Sequence, residues 1–310
     1  MLRAVILCRF LWVKRMIKQR LLLNVAGAQV AYTLFKKVPA ELTSSDNEYA
    51  SNKKRRLLLL HGAGVAGELT WTFIVNYLHH WDEILVPDLL GMGDSYYDLE
   101  DAREFTIEDI CKTLFSLLRH HDWCEFDLVG YSLGGLVALE LNHEALPDFN
   151  IGRLCLIEPA LFNDQSLQTA ISFRRAFTPI ASNIKSDADN PQYFIDFLDL
   201  VSPKRKSNEK VDLLAIQRLQ QRPHGFANAL IAVSTYAEQL DQHRLHSLMR
   251  SIPPGIGIVG GLSSSGLIHA QENIQYFQPQ WHIETIPNVD HSLVYVRPKV
   301  IAHLFNQYLA

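Results

Sequence analysis

Leu57-Leu58-Leu59-Leu60 is apolar at four successive positions and stops abruptly at His61-Gly62. A half-buried strand alternates apolar with polar residues. A run that is apolar throughout needs cover on both faces, as in the middle of a parallel sheet. The same form returns in Ile84-Leu85-Val86-Pro87-Asp88, Phe126-Asp127-Leu128-Val129-Gly130, Leu154 to Ile157 and Ile256 to Val259. Helical patterns lie between these runs. From Thr106 to His120 the residues Ile107, Ile110, Cys111, Leu114, Leu117 and Leu118 recur at three and four, and Thr106 with Asp109 has N-cap spacing. Alternating strand and helix imply right-handed crossovers and an α/β fold, a parallel sheet with helices on both faces.

Two stretches depart from the alternation. Leu21 to Phe35 reads as two strands turning near Ala26-Gly27-Ala28, and the polar stretch Glu41 to Asn52 reads as an exposed loop. From about Asn163 to Arg250 helical patterns (Ala170 to Phe177, Tyr193 to Leu200, Val211 to Leu219, Ala227 to Leu240) follow one another without a clear strand. The expectation is a core formed by residues 21–162 and 251–310, with a helical insertion over 163–250. Helices inserted at the carboxyl edge of a parallel sheet lie where ligands bind, so the insertion should cover the site. Its Phe173, Phe177, Tyr193, Phe194, Phe197 and Leu198 favour a substrate with apolar bulk.

Residues 1–20 are expected to form an N-terminal extension. Arg9 splits its apolar run into pieces too short for a secretory signal. A packed or frayed extension is preferred over a basic amphipathic helix lying on a membrane. No segment reaches the roughly 20 apolar residues needed to span a bilayer. The four cysteines, Cys8, Cys111, Cys124 and Cys155, have no metal-ligand spacing, and Cys111 and Cys155 fall on apolar faces. That usage suits a reducing compartment, and a cytoplasmic location is expected. A net charge of -4 provides no global field for nucleic acid. The basic runs Lys53 to Arg56 and Lys204 to Lys206 sit among Ser and Asn and read as solvated loops.

The strongest chemical signal is Gly130-Tyr131-Ser132-Leu133-Gly134-Gly135, placed directly after one apolar run and before an apolar helix, Val137 to Leu141. A Gly-x-Ser-x-Gly pattern alone would arise by chance in about one chain in twenty at ordinary residue frequencies. Its position gives it weight. A serine on a sharp strand-to-helix turn sits in strained backbone, and small residues two before and two after it let the turn close. His61-Gly62-Ala63-Gly64 also follows a strand directly. Acyl transfer needs N–H donors aimed at the developing oxyanion, and the amides of Ala63 and Leu133 are the best candidates. His291, between the last expected strand (Trp281 to Ile286) and a closing helix (Val300 to Leu309), is the candidate general base for Ser132.

Together, the Ser132 elbow, His61-Gly62, the Asp88-Leu89-Leu90-Gly91-Met92-Gly93-Asp94-Ser95 segment and a late His291 resemble the α/β-hydrolase superfamily. They are most similar to its lid-bearing esterase, haloperoxidase and carbon–carbon hydrolase group. The resemblance covers roughly residues 21–310. It implies a mostly parallel eight-stranded sheet and makes Asp88 a structural residue of its loop. Members of the superfamily usually carry the triad acid just after the strand read here as Gly255 to Gly260. This chain has Gly261-Leu262-Ser263-Ser264-Ser265-Gly266 there and no carboxylate. Three carboxylates could substitute. Asp290 adjoins His291 and would struggle to reach Nδ1, and Glu272 falls too far along a helix. Glu158 ends the Leu154 to Ile157 strand beside the site, the place where some relatives, certain haloalkane dehalogenases among them, keep their acid. Glu158 is therefore the preferred triad acid, ahead of the plainer reading of a strand-end residue bonded to local backbone.

The expected activity is ester hydrolysis through an acyl-enzyme on Ser132, with no metal or organic cofactor implied. Serine rather than aspartate at the nucleophile disfavours dehalogenation. Carbon–carbon hydrolysis, perhydrolysis, and a binding protein that has lost turnover are the alternatives, the last motivated by the missing acid.

Overall fold

A computed structural model of the chain describes residues 16–25, 27–38, 53–97, 103–145, 148–161, 166–205 and 208–310. The strands, in chain order, are β1 (Met16–Val25), β2 (Ala28–Lys37), β3 (Arg56–Leu60), β4 (Glu83–Pro87), β5 (Tyr96–Tyr97), β6 (Glu125–Tyr131), β7 (Asn150–Ile157), β8 (Gly255–Gly260) and β9 (Trp281–Ile286). The helices are α1 (Gly67–Val75), α2 (Ile107–His120), α3 (Leu133–His143), α4 (Leu167–Arg175), α5 (Phe177–Ser186), α6 (Pro191–Val201), α7 (Glu209–Leu219), α8 (Pro223–Gln239), α9 (Gln242–Arg250), α10 (Ser265–Phe277), α11 (Leu293–Val296) and α12 (Pro298–Tyr308).

Eight strands run side by side in the order β1-β2-β4-β3-β6-β7-β8-β9, and the two-residue β5 joins β2 as a ninth. From β4 to β9 every pairing is parallel. The β1 and β2 pairings are antiparallel. The apolar runs occupy the middle of this sheet for the expected reason. Leu58 and Leu60 of β3 enter one apolar cluster with Leu114, Leu117 and Leu139 of α2 and α3. Leu57 and Leu59 enter another, on the opposite face, with Trp71 and Ile74 of α1 and Phe305 of α12. Each buried leucine contributes about 1.5–3 kcal/mol relative to exposure, so both faces hold the strand in place. At β3 the strand order reverses, with β4 on one side and β6 on the other. The loops leaving β3 and β6 therefore part at the carboxyl edge, where a crevice forms.

Helix α2 begins at the anticipated N-cap. Thr106 accepts from the Asp109 amide and Asp109 accepts from the Thr106 amide, a capping box. Helices α4 to α9 occupy the stretch between β7 and β8, with no strand among its described residues. Their own apolar cluster centres on Phe177, Phe194, Leu219 and Phe226. Two of them, α5 and α9, leave no clear pattern in the sequence. The apolar spacing in both is short, and α9 hides only Leu245, Leu248 and Met249.

Three expectations need correction. The N-terminal extension does not reach residue 20, because β1 starts at Met16 and pairs from Met16↔Lys37 onward. Lys18 and Arg20 obscure this strand in the sequence, and their carboxylate partners, Glu68 for Lys18 and both Asp88 and Asp94 for Arg20, come from distant segments. An amphipathic helix through residue 18 is thereby excluded, while residues 1–15, with Cys8, lie outside the described residues. The Lys53 to Arg56 run is a solvated loop only in part, since Lys53 and Lys54 are exposed while Arg55 and Arg56 are half-buried. Arg56 belongs to β3, both it and Lys54 pair with the buried Glu83, and Arg55 lies over Trp81. Arg205 is likewise tied, at 2.6 Å, to both Asp199 and Asp212. The loop expected at Glu41 to Asn52 lies outside the described residues. Cys111 and Cys155 are buried and Cys124 is exposed.

Candidate active site

Ser132 caps the junction of β6 and α3 with φ 53° and ψ -117°, left-handed backbone that a serine adopts only under constraint. Four hydrogen bonds hold it there. Its amide donates to the Ile157 carbonyl at 2.9 Å, and its own carbonyl accepts from Gly135, Leu136 and Ala160. The flanking glycines have a steric reason. A Cβ on Gly130 would lie 2.2 Å from the Gly134 carbonyl oxygen, and one on Gly134 would lie 2.4 Å from that of Leu60.

His291 Nε2 lies 3.0 Å from Ser132 Oγ, and His291 Nδ1 lies 2.5 Å from Glu158 Oε2. Glu158 leaves the end of β7 with φ 43°, again left-handed. Its other oxygen accepts from the Gly260 amide at the end of β8, at 2.7 Å. The carboxylate is buried, and both oxygens are used. The rival acids sit elsewhere. Asp290 Oδ1 accepts from the amide and hydroxyl of Ser292, a local turn, and Glu272 pairs with His269 on α10. Asp88 also behaves as the resemblance implied. Its carboxylate accepts from the amides of Gly67 and Asp94 and pairs with Arg20, so it ties the loop after β4 to its surroundings.

Ala63 and Leu133 line the same cleft as Ser132 and His291. No acceptor lies on either amide among the described residues, which leaves both N–H groups available. His61 does not line this cleft. It is fully buried and braces the turn: Nδ1 is 2.7 Å from the Gly62 carbonyl, and Nε2 accepts from the Leu89 amide at 2.8 Å. These partners assign the proton to Nδ1. Burial holds the imidazole below its ordinary pKa, with the Asp88 charge working in the other direction.

Tyr131 is a contributor that sequence reasoning passed over. Its hydroxyl donates to the His291 carbonyl at 2.7 Å, and the two rings lie 5.0 Å apart. Burial pushes the phenol well above its usual range, so it remains a donor. The motif places a tyrosine before the serine, but nothing in the sequence links it to a loop 160 residues away. Most of the remaining wall is apolar, with Phe173, Phe177 and Phe197 from the insertion, Leu230 and Val233 from α8, and Arg174 as the exception.

Comparison with known proteins agrees with this architecture. Residues 57–304 match the profile of the alpha/beta hydrolase family. A curated relative, the dihydrolipoyllysine-residue acetyltransferase component of the acetoin cleaving system of Pseudomonas putida, is 26% identical over 242 residues. That match takes in 76% of this chain and 58% of the relative, so the chain spans less than two thirds of that protein. Among solved structures, a hydrolase from Pseudomonas aeruginosa superposes with a TM-score of 0.68 at 19% identity, covering 94% of this chain and 98% of that one. An esterase from Exiguobacterium antarcticum gives 0.70 at 14% identity, covering 92% and 97%. At such identities the likeness is one of fold.

Proposed function

The chain belongs to the alpha/beta hydrolase family, and from that premise we propose that it is a serine hydrolase cleaving carboxylic esters through an acyl-enzyme on Ser132. The observation that carries the reading is the connected chain Ser132 Oγ, His291 and Glu158, with links of 3.0 and 2.5 Å. Each link has a chemical task. The Glu158 carboxylate accepts the Nδ1 proton of His291, which leaves the Nε2 lone pair facing the Ser132 hydroxyl. His291 takes the hydroxyl proton as Oγ bonds to the substrate carbonyl carbon, and the carbonyl π electrons move onto oxygen. The Ala63 and Leu133 amides stabilise that oxyanion. A donor of this kind is worth about 10²–10³ in turnover. When the oxyanion collapses, His291 gives its proton to the leaving alkoxide and the acyl group stays on Oγ. Water then attacks the acyl carbon, loses its proton to His291, and the carboxylic acid leaves as Ser132 recovers its hydrogen.

Glu158 also bears on the non-catalytic alternative. That alternative rests on a missing acid, and a buried carboxylate hydrogen-bonded to His291 weakens it. Turnover of 4-nitrophenyl butyrate tests the proposal. The wild-type protein is expected to release nitrophenol with a burst of one equivalent or less, and Ser132→Ala should stop release while keeping the same thermal transition. Release that survives Ser132→Ala would overturn the assignment. Product analysis with a dienoic diketone or with peroxide addresses the other bond types.

A further inference from the structure

Beyond Ser132, His291 and Glu158, the cleft wall is apolar among the described residues except for one side chain, Arg174. It stands at the end of α4, where its carbonyl accepts from the Ser234 hydroxyl of α8 at 2.8 Å, so the helix end is fixed. Its guanidinium carbon lies 5.1 and 5.3 Å from the ring centroids of Phe173 and Phe177, which line the cleft as well. Part of the residue retains some surface, but its Nε has none and meets no hydrogen-bond partner. No carboxylate pairs with Arg174 among the described residues, whereas its neighbour Arg175 is bonded to Glu238 at 2.7 Å. Arg20, Arg56, Arg205 and Arg244 all have acidic partners too.

Arg174 is half-buried, and a partly desolvated cation with no counter-charge among the described residues is poorly satisfied, because such groups are normally paired or neutralised. Burial pushes the Arg174 guanidinium down to about 9, with no acidic neighbour among the described residues offsetting it. It therefore remains protonated at neutral pH, on a cleft whose other walls outside the Ser132, His291 and Glu158 group are apolar among the described residues. A planar fork of N–H donors matches a carboxylate in two parallel hydrogen bonds. We propose that Arg174 receives a carboxylate of the substrate, so that the compound cleaved at Ser132 is an anionic ester with an apolar body. The proposal rests on the serine hydrolase reading above and deepens it by naming the substrate class. The aromatic walls from Phe173 and Phe177 would then contact the apolar portion beside the charged end.

Two matched ester pairs test this. The 4-nitrophenyl monoester of adipic acid is compared with 4-nitrophenyl hexanoate, which places the charge on the acyl side. In the second pair, 4-acetoxybenzoate is compared with 4-acetoxybenzamide, which places it on the leaving side. The expected result is a kcat/KM ratio favouring the acid by about 100-fold in one pair. The ratio should fall to within about threefold of unity in Arg174→Met and stay intermediate in Arg174→Lys, which keeps charge but not the fork. Both members of a pair are read on one preparation, so partial unfolding cancels in the ratio. A wild-type ratio near unity in both pairs, or a preference that Arg174→Met leaves unchanged, overturns the proposal. If no ester is cleaved and Ser132 resists acylating probes, the hydrolase reading fails instead. Calorimetry with adipate then decides separately: binding that Arg174→Met abolishes keeps the anion site, and no binding to wild type removes it.

Discussion

The sheet and the helical insertion hide their apolar residues in different ways. In β3 every residue from Leu57 to Leu60 is inaccessible, because helices cover both faces. In α6 only Phe194 is buried, in α4 only Ala170, and α7 leaves Val211, Leu213 and Leu214 open. The sheet is thus fixed from two sides, and its strand ends carry Ser132, Glu158 and the loop bearing His291. Within the insertion α5 and α8 are well buried, and α8 and α9 join the main apolar cluster. The half-open part is α4, α6 and α7, which gives the cleft apolar walls and, among the described residues, the charge of Arg174. The difference suggests a division of labour. Groups that must hold a proton path within tenths of an ångström stand on the rigid part, and groups that select a substrate stand on the looser one.

The largest expected effect breaks the rigid part at its acid. Glu158→Gln keeps the shape but no longer holds the His291 tautomer, and kcat should fall about 10³–10⁴-fold with the fold retained. Steady-state ester kinetics measure it, and a loss under tenfold would remove Glu158 from the triad. Next comes packing. Leu59→Ala should cost about 2–5 kcal/mol in denaturant unfolding, because a β3 site closed on both faces cannot collapse around the cavity. Phe194→Ala should open the insertion to limited proteolysis while leaving the main unfolding transition less affected. Equal losses in that transition would mean the two regions are equally rigid.

A smaller effect is tied to pH. His61 is buried neutral with its pKa depressed, so its contribution is complete above the unfolded value near 6.5. It is lost as the pH falls below that, because the unfolded chain then binds the extra proton. The slope is at most about 1.4 kcal/mol per pH unit, readable as the difference between wild type and His61→Gln in unfolding across pH 5–8. Identical slopes would contradict the assigned neutral state. Tyr131→Phe removes the bond to the His291 carbonyl and should cost about 1 kcal/mol with a several-fold drop in kcat and little change in KM. Arg175→Ala, breaking an exposed pair with Glu238 in the insertion, should shift stability by only a few tenths of a kcal/mol.

What the sequence discloses follows the same division. The apolar runs announced the central strands because double-sided burial demands apolar residues at every position. Ser132 and His291 were legible because a strained strand-to-helix turn and a loop before the closing helix leave local signatures. Glu158 was harder, since its reach to His291 depends on β7 and β8 being neighbours, a fact of topology rather than of local pattern. The start of β1 at Met16 stayed hidden because Lys18 and Arg20 find carboxylates contributed by α1 and the loop after β4. Arg174 could not be told from Arg175 by residue type, since only the direction each takes from α4 separates a cleft lining from a surface pair.

In the proposed mechanism Ser132 is an activated nucleophile held by His291 and Glu158. Reaction of the intact protein with a fluorophosphonate, followed by peptide mass analysis, tests it most directly. One modified residue, Ser132, is expected, with labelling abolished in His291→Ala and slowed about 10³-fold or more in Glu158→Gln. Folded protein that leaves Ser132 unmodified, or labels it as fast without His291, would contradict it.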